Sequence, residues 1–207
     1  MSWQANCQCL IASAAGVPAS HPYIGHMHRL FVALCLPKEI RTRLLSLMGG
    51  IAGARWQEDD QLHLTLRFIG NADRHRANDV AEALTSLRFS PFTLSLAGLG
   101  QFERKGRTHT LWAGVQPHDA LGQLNRKIDR VCVLAGFPAE ERAYLPHITL
   151  ARFGRSGGST EGFISRHAAL SSPPFPVDEF ALFESHLTES GAHYEVVTTY
   201  PAIAAVL

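Results

Sequence analysis

The chain has 207 residues, 46% of them apolar, with 19 basic against 18 acidic side chains and a formal net charge of +1. That length and apolar content can bury a sizeable core in one compact domain or two small lobes, as in an ordinary soluble globular protein. The near-neutral balance excludes a broad positive field for gripping a long polyanion, so any nucleic-acid partner is small or recognised locally.

Residues 1–26 are rich in Ala, Ser and Pro and carry no Lys or Arg. A secretory leader needs a basic start, and the apolar run Leu10 to Val17 is too short to span a membrane. This stretch reads as a loosely ordered extension, with a single domain over 27–207; Gly25-His26-Met27 is alternatively a cloning junction. Cys7, Cys9, Cys35 and Cys132 have no C-x-x-C spacing and no neighbouring His or Cys cluster that completes a zinc site. Reduced thiols in a cytoplasmic setting are the default.

From Met27 the chain reads as two rounds of one plan. A strand, Leu30 to Leu36, ends at Pro37 and precedes a helix, Lys38 to Met48, with Ile40, Leu44, Leu45 and Met48 at helical spacing. A strand at His63, a polar and Ala-rich helix from Arg74 to Leu87 and a strand from Phe92 to Ala97 complete the first round. The second has a strand Thr110 to Val115, a helix Asp119 to Ala135 and a strand at His147. A Gly/Ser loop over Gly154 to Ser159, a short helix, and strands Glu179 to Ser185 and Tyr194 to Thr199 follow, the last two joined by a turn at Ser190-Gly191. Corresponding elements are offset by 81 to 87 residues, the mark of an ancient duplication.

Two segments read almost alike: His63-Leu64-Thr65-Leu66-Arg67-Phe68 and, 84 residues later, His147-Ile148-Thr149-Leu150-Ala151-Arg152-Phe153. Each alternates polar and aliphatic residues with the period of a strand that has one buried face. His63 and Thr65 share one face, as do His147 and Thr149. A single His-x-Thr is ordinarily a half-exposed strand, but two copies suggest a lined cleft, because unpaired imidazoles are costly to bury. If the halves meet about a pseudo-two-fold axis, two histidines and two hydroxyls converge without a carboxylate or a metal. That set fits in-line attack at phosphorus: one neutral imidazole takes a proton from the incoming oxygen, the opposing imidazolium gives one to the leaving oxygen, and the hydroxyls hold the non-bridging oxygens. Nothing in the chain resembles the His-Asp pairs or carboxylate clusters of a metal hydrolase. Gly98-Leu99-Gly100 and Gly49-Gly50 lack the residues of a phosphate loop and read as turns.

The paired motifs resemble the signature of the 2H phosphoesterase superfamily, in particular its RNA 2′,3′-cyclic phosphodiesterase branch, formerly called 2′-5′ RNA ligase. The resemblance extends to the Arg29-to-Ala33 strand, Trp56 ahead of the first motif, Gly106-Arg107 before Leu111 to Val115, Pro146, and Gly191-Ala192-His193-Tyr194. It implies an α+β, bilobal fold: two pseudo-symmetric lobes with antiparallel sheets flanking a central cleft, helices outside, built from a duplicated β-α-β-β unit into one catalytic domain. It also implies metal-independent hydrolysis of RNA or nucleotide 2′,3′-cyclic phosphates to 2′-phosphomonoesters. In that reaction His63 is the proton donor to the leaving 3′-oxygen and His147 the proton acceptor from water, with Thr65 and Thr149 beside them. No cofactor or metal is expected. The partners are RNA 3′ ends or small cyclic nucleotides, the protein is a monomer in the cytoplasm, and no membrane is involved. The alternatives are another cyclic phosphate or a 2′-5′ linkage as substrate, or an RNA-end binder without catalysis.

Three further residues are candidates for substrate contact. Regular strand alternation puts Arg67 on the face of His63, within reach of a phosphate. Arg152 falls on the face opposite His147 unless a bulge after Leu150 re-aims it; either arginine is otherwise a solvated rim charge. Phe31 stacks on a base or packs in the core. Arg104, Lys105 and Arg107 form a basic loop that meets a longer RNA tail or is simply solvated.

Overall fold

The computed structural model describes residues 27–155, 157–188 and 191–203; the expected extension over 1–26 lies outside the described residues. In chain order the elements are β1 (His28–Cys35), α1 (Lys38–Leu45), β2 (Ala54–Trp56), a 3-10 turn (Asp59–Gln61), β3 (His63–Ala72), α2 (Arg74–Thr85) and β4 (Phe92–Arg104). They continue with β5 (Arg107–Gln116), α3 (Asp119–Leu134), β6 (His147–Phe153), α4 (Glu161–Arg166), β7 (Phe175–Val177), β8 (Glu179–Thr188) and β9 (Gly191–Pro201).

The strands form one curled antiparallel sheet in the order β7-β4-β5-β6-β3-β1-β8-β9, with β2 added against β6. The two motif strands are neighbours at its centre, joined through a single pair, Leu64 opposite Ile148. Beyond that rung they diverge, and the sheet opens into two lobes. Each lobe takes strands from both halves of the chain: β4 leaves the first half to pair with β5, and β8 with β9 returns to extend β1.

One face of the sheet carries the core. Leu30, Val32 and Leu34 of β1, Leu64 and Leu66 of β3, Ala113 and Val115 of β5, and Ile148 and Leu150 of β6 pack there against the helices. The helices present stripes that match: Ile40 and Leu44 from α1, Val80 and Leu84 from α2, and Leu121, Leu124, Ile128 and Cys132 from α3. Their spacing of three or four residues places each set on one helical face. α2 is started by Asp73, whose carboxylate accepts from the Arg76 amide at 2.9 Å. Helices therefore lie outside, and the opposite sheet face is left to line the cleft.

The β4-β5 hairpin is longer than its apolar pattern suggested. It runs to Arg104 and Arg107 and turns at Lys105-Gly106, both with positive φ (55° and 70°). Arg104, Lys105 and Arg107, with Gly106 between the last two, thus form a tight hairpin tip, where glycine relieves the strain of a left-handed backbone.

A bulge in each motif sorts the cleft face

Both motif strands break their alternation at the same position. In β3, Thr65 pairs with Ala33 and Arg67 with Val32, which leaves Leu66 as an extra residue. In β6, Thr149 pairs with Trp112 and Ala151 with Leu111, which leaves Leu150 extra. A bulge of this kind shifts every later side chain to the other face.

The shift corrects the expectation for Arg67. Its side chain turns to the core face and is only 6% exposed. Nε stands 2.7 Å from Asp129 Oδ1 as an ion pair, Nη1 is 3.6 Å from Glu140 and donates to the Phe68 carbonyl, and Nη2 donates to the Pro138 carbonyl. With its guanidinium held behind the strand by these carboxylates and carbonyls, Arg67 does not reach a phosphate in the cleft. The same bulge in β6 carries Arg152 to the His147 face, where it is exposed.

Phe68 takes the place on the cleft face that regular alternation gives to Arg67, and it is 55% exposed. Sequence reasoning passed over it, although the repeat held the signal: a bulge invoked after Leu150 applies equally after Leu66. Phe31 is corrected as well. At 3% exposure it is covered, with its ring stacked on Phe183 (centroids 5.0 Å) and 5.0 Å from His63. No base can stack on a face that is already filled, so Phe31 is packing beneath the histidine.

Candidate active site

His63 and His147 are seated alike. His63 Nδ1 is 2.8 Å from the Gln61 carbonyl, and His147 Nδ1 is 2.8 Å from the Leu145 carbonyl. A carbonyl can only accept, so in each ring Nδ1 carries the proton and donates it, which assigns Nε2 as the nitrogen free to exchange a proton with a ligand. In both copies the carbonyl belongs to the residue two positions upstream, so the segment that leads into each motif strand fixes the tautomer.

The threonines complete the arrangement. Stepping one residue out from the Leu64–Ile148 pair along antiparallel strands brings His63 across from Thr149, and Thr65 across from His147. The two imidazoles and the two hydroxyls thus flank the one rung that joins the motif strands, and neither hydroxyl is engaged by another described residue.

Aromatic rings hold both imidazoles. Tyr194 meets His63 edge-on at 5.1 Å, and Phe102 meets His147 edge-on at 4.8 Å with Trp112 at 6.1 Å. Trp112 lies over Gly100, where any Cβ would overlap its ring. Burial within these walls lowers the pKa of both histidines. His63 falls from 6.5 to about 4, first through desolvation and then through the positive charges of Arg152 and His147, against the opposing effect of the Gln61 hydrogen bond. His147 is lowered by desolvation and by Arg152. Arg152 therefore acts on both rings, as a cation lying close to both must.

Among the described residues no group of three His, Cys, Asp or Glu side chains is placed to hold a metal ion, and no helix is long and apolar enough to cross a membrane. The two motifs bring to the cleft two imidazole Nε2 atoms, two hydroxyls and the Arg152 guanidinium.

The chain is similar to known proteins in sequence and in fold. The family model described as the 2′-5′ RNA ligase superfamily matches residues 49–189. A Thermotoga maritima protein named RNA 2′,3′-cyclic phosphodiesterase is 30% identical over 177 residues, covering 82% of this chain and 92% of its own length. One of the same name from Archaeoglobus fulgidus is 28% identical, covering 81% and 96%. A third, from Geobacillus stearothermophilus, is 28% identical over 84% of this chain, which spans only 57% of that relative's length. Among solved structures, TT0787 of Thermus thermophilus superposes with a TM-score of 0.73 at 26% identity, covering 86% of this chain and 99% of its own. E. coli LigT complexed with 3′-AMP gives 0.70 at 27% identity, with the same coverages. The paired motifs, the curled antiparallel sheet and these matches agree: the chain belongs to the 2′-5′ RNA ligase superfamily of 2H phosphoesterases.

Proposed function

We propose that the protein hydrolyses 2′,3′-cyclic phosphate ends of RNA or small nucleotides to 2′-phosphomonoesters, by acid-base catalysis between His63 and His147 without a metal or cofactor. The observation that carries the reading is the matched seating of the two rings, each with Nδ1 bound to a carbonyl and Nε2 left to the cleft. The names of the relatives support the substrate class.

His147 Nε2 accepts a proton from water as its oxygen attacks phosphorus, and His63 Nε2 donates a proton to the departing 3′-oxygen. Thr65 and Thr149 hydroxyls donate to the non-bridging oxygens, and Arg152 balances the charge that develops on them. With both pKa values lowered, the imidazoles are neutral at pH 7 before substrate binds, so His147 is ready as a base. His63 needs a proton to serve as an acid. The negative cyclic phosphate offsets Arg152, one of the causes of the low value, and so favours protonation as substrate binds. Every group in this scheme comes from one chain, so a monomer suffices, and a reduced, cytoplasmic setting is consistent with it.

The test is incubation with each 2′,3′-cyclic mononucleotide and a short RNA ending in a cyclic phosphate, in chelator, with 2′- and 3′-phosphate products resolved. The expected result is the 2′-phosphate, with a loss of about 10²- to 10⁴-fold in His147→Ala. Activity that appears only on adding a metal, or a His147→Ala variant near the wild-type rate, overturns the scheme.

A further inference from the structure

Arg55 lies directly across from Arg152 where β2 is added to β6. Its neighbours Ala54 and Trp56 pack toward the core, so alternation aims Arg55 at the cleft face that Arg152 occupies, and both arginines are exposed. The placement is firm. β2 pairs with β6 over Ala54, Arg55 and Trp56, the Gln57 amide donates to the Leu150 carbonyl at 2.8 Å, and the Trp56 ring packs 5.4 Å from Phe163.

Like charges directly opposite each other on antiparallel strands repel. Neither guanidinium forms an ion pair with a described carboxylate, although Arg41 and Arg67 both do. A cross-strand pair of uncompensated cations, held on rigid backbone beside a phosphate-chemistry cleft, is complementary to an anion shared between them. Arginine forks suit phosphate oxygens, and two forks on one face suit a phosphate better than a carboxylate, which has fewer acceptors.

We propose that Arg55 forms a second phosphate subsite beside Arg152, whose guanidinium stands between the reacting phosphate and a second one; Arg55 takes that second phosphate, on the 5′ side of the nucleotide whose cyclic phosphate lies between the histidines. The proposal rests on the phosphodiesterase reading above and deepens it. The favoured substrate carries a second phosphate one nucleoside away from the reacting one, as an RNA end does and a plain cyclic mononucleotide does not. The source of that phosphate is an internucleotide diester or a terminal 5′-monoester, since Arg55 recognises the oxygens that both share.

The experiment compares wild type, Arg55→Ala and Arg55→Lys on three substrates. These are a 2′,3′-cyclic mononucleotide, the same nucleotide bearing a 5′-phosphate, and a dinucleotide ending in a 2′,3′-cyclic phosphate. The kcat/KM of Arg55→Ala is expected to fall about tenfold further on the two substrates with a second phosphate than on the first, the scale of one charge-assisted hydrogen bond, with part of the loss restored in Arg55→Lys. Equilibrium binding of the 2′-phosphate-ended dinucleotide, measured against salt, is expected to lose about 0.7 from its log-log slope in Arg55→Ala. Equal losses on all three substrates overturn the proposal, as does a loss confined to the dinucleotide, which places Arg55 on sugar or base. If wild type turns over none of the three, the phosphodiesterase reading fails instead, and the salt slope alone then decides the subsite: a drop upholds it and an unchanged slope overturns it.

Discussion

The depressed pKa of His63 makes the fold itself sensitive to acid, and the size of the effect follows from the structure. The folded imidazole binds its proton near pH 4 and the unfolded one near 6.5. Between those values the unfolded chain holds more protons, so stability falls as the pH falls through that window. At ~1.36 kcal/mol for each pH unit, the contribution is capped at about 3 kcal/mol, and about 2 kcal/mol of it is gone at pH 5. His63→Gln keeps a neutral side chain of similar reach but has no proton to gain. Urea unfolding of both proteins at pH 7.5, 6, 5 and 4.5 measures the difference directly. Wild type is expected to lose about 2 kcal/mol more than His63→Gln between pH 7.5 and 5. Parallel loss in the two proteins refutes the argument, because it means that the ring is solvated well enough to titrate normally. Addition of phosphate is expected to move the His63 titration upward in an NMR experiment, since the anion offsets Arg152.

Three other substitutions probe the support of the site. Arg67→Met removes the fork behind β3 and leaves Asp129 partly buried without its cation; unfolding is expected to become about 2–3 kcal/mol easier, and an unchanged midpoint in urea removes Arg67 from the scaffold. Gly100→Ala sets a methyl group against the Trp112 ring and is expected to cost about 1–3 kcal/mol in thermal denaturation, with lower turnover as the wall of His147 shifts. Wild-type stability and rate in that variant contradict the close approach. Arg152→Gln removes a positive charge that lowers both histidines, so the acidic limb of the kcat/KM profile is expected to move to higher pH while the rate falls; a limb that stays in place means that its charge does not reach the rings.

The strands and helices that carry the site were legible because their patterns are strong. Leu121, Leu124, Ile128 and Cys132 mark α3 by spacing, and His63 and His147 stand out because one motif occurs twice. Three features were not legible. β2 is three residues long and carries no pattern of its own, so Arg55 gave no sign of facing Arg152. The hairpin strands β4 and β5 extend past their apolar stretches, through glycine and polar residues that pair across the hairpin without marking a buried face in the sequence. The bulges defeated simple alternation: Arg67 was assigned by parity to the cleft, yet Leu66 absorbs the extra residue and the guanidinium turns inward to Asp129. Phe31 shows a different limit, since an aromatic on the correct face of the correct strand still cannot stack on substrate once Phe183 covers it. Parity tells which way a side chain points, and only tertiary packing tells whether anything is left for it to touch.

The single rung between Leu64 and Ile148 has a mechanical consequence. The two histidines belong to different lobes, so the gap between their Nε2 atoms depends on how far the sheet is bent along that line as well as on the packing within each lobe. Stiffness against bending has to come from behind the sheet. There, Asn125 of α3 donates to the Leu66 carbonyl at 2.7 Å, Tyr144 to the Thr65 carbonyl at 3.3 Å, and Arg67 reaches the loop that leads into His147. These bonds brace the β3 bulge against the chain that supplies the other motif. Loosening them would leave each imidazole well seated in its own lobe and still set the pair at the wrong separation, a fault visible in the rate before it was visible in either half of the fold.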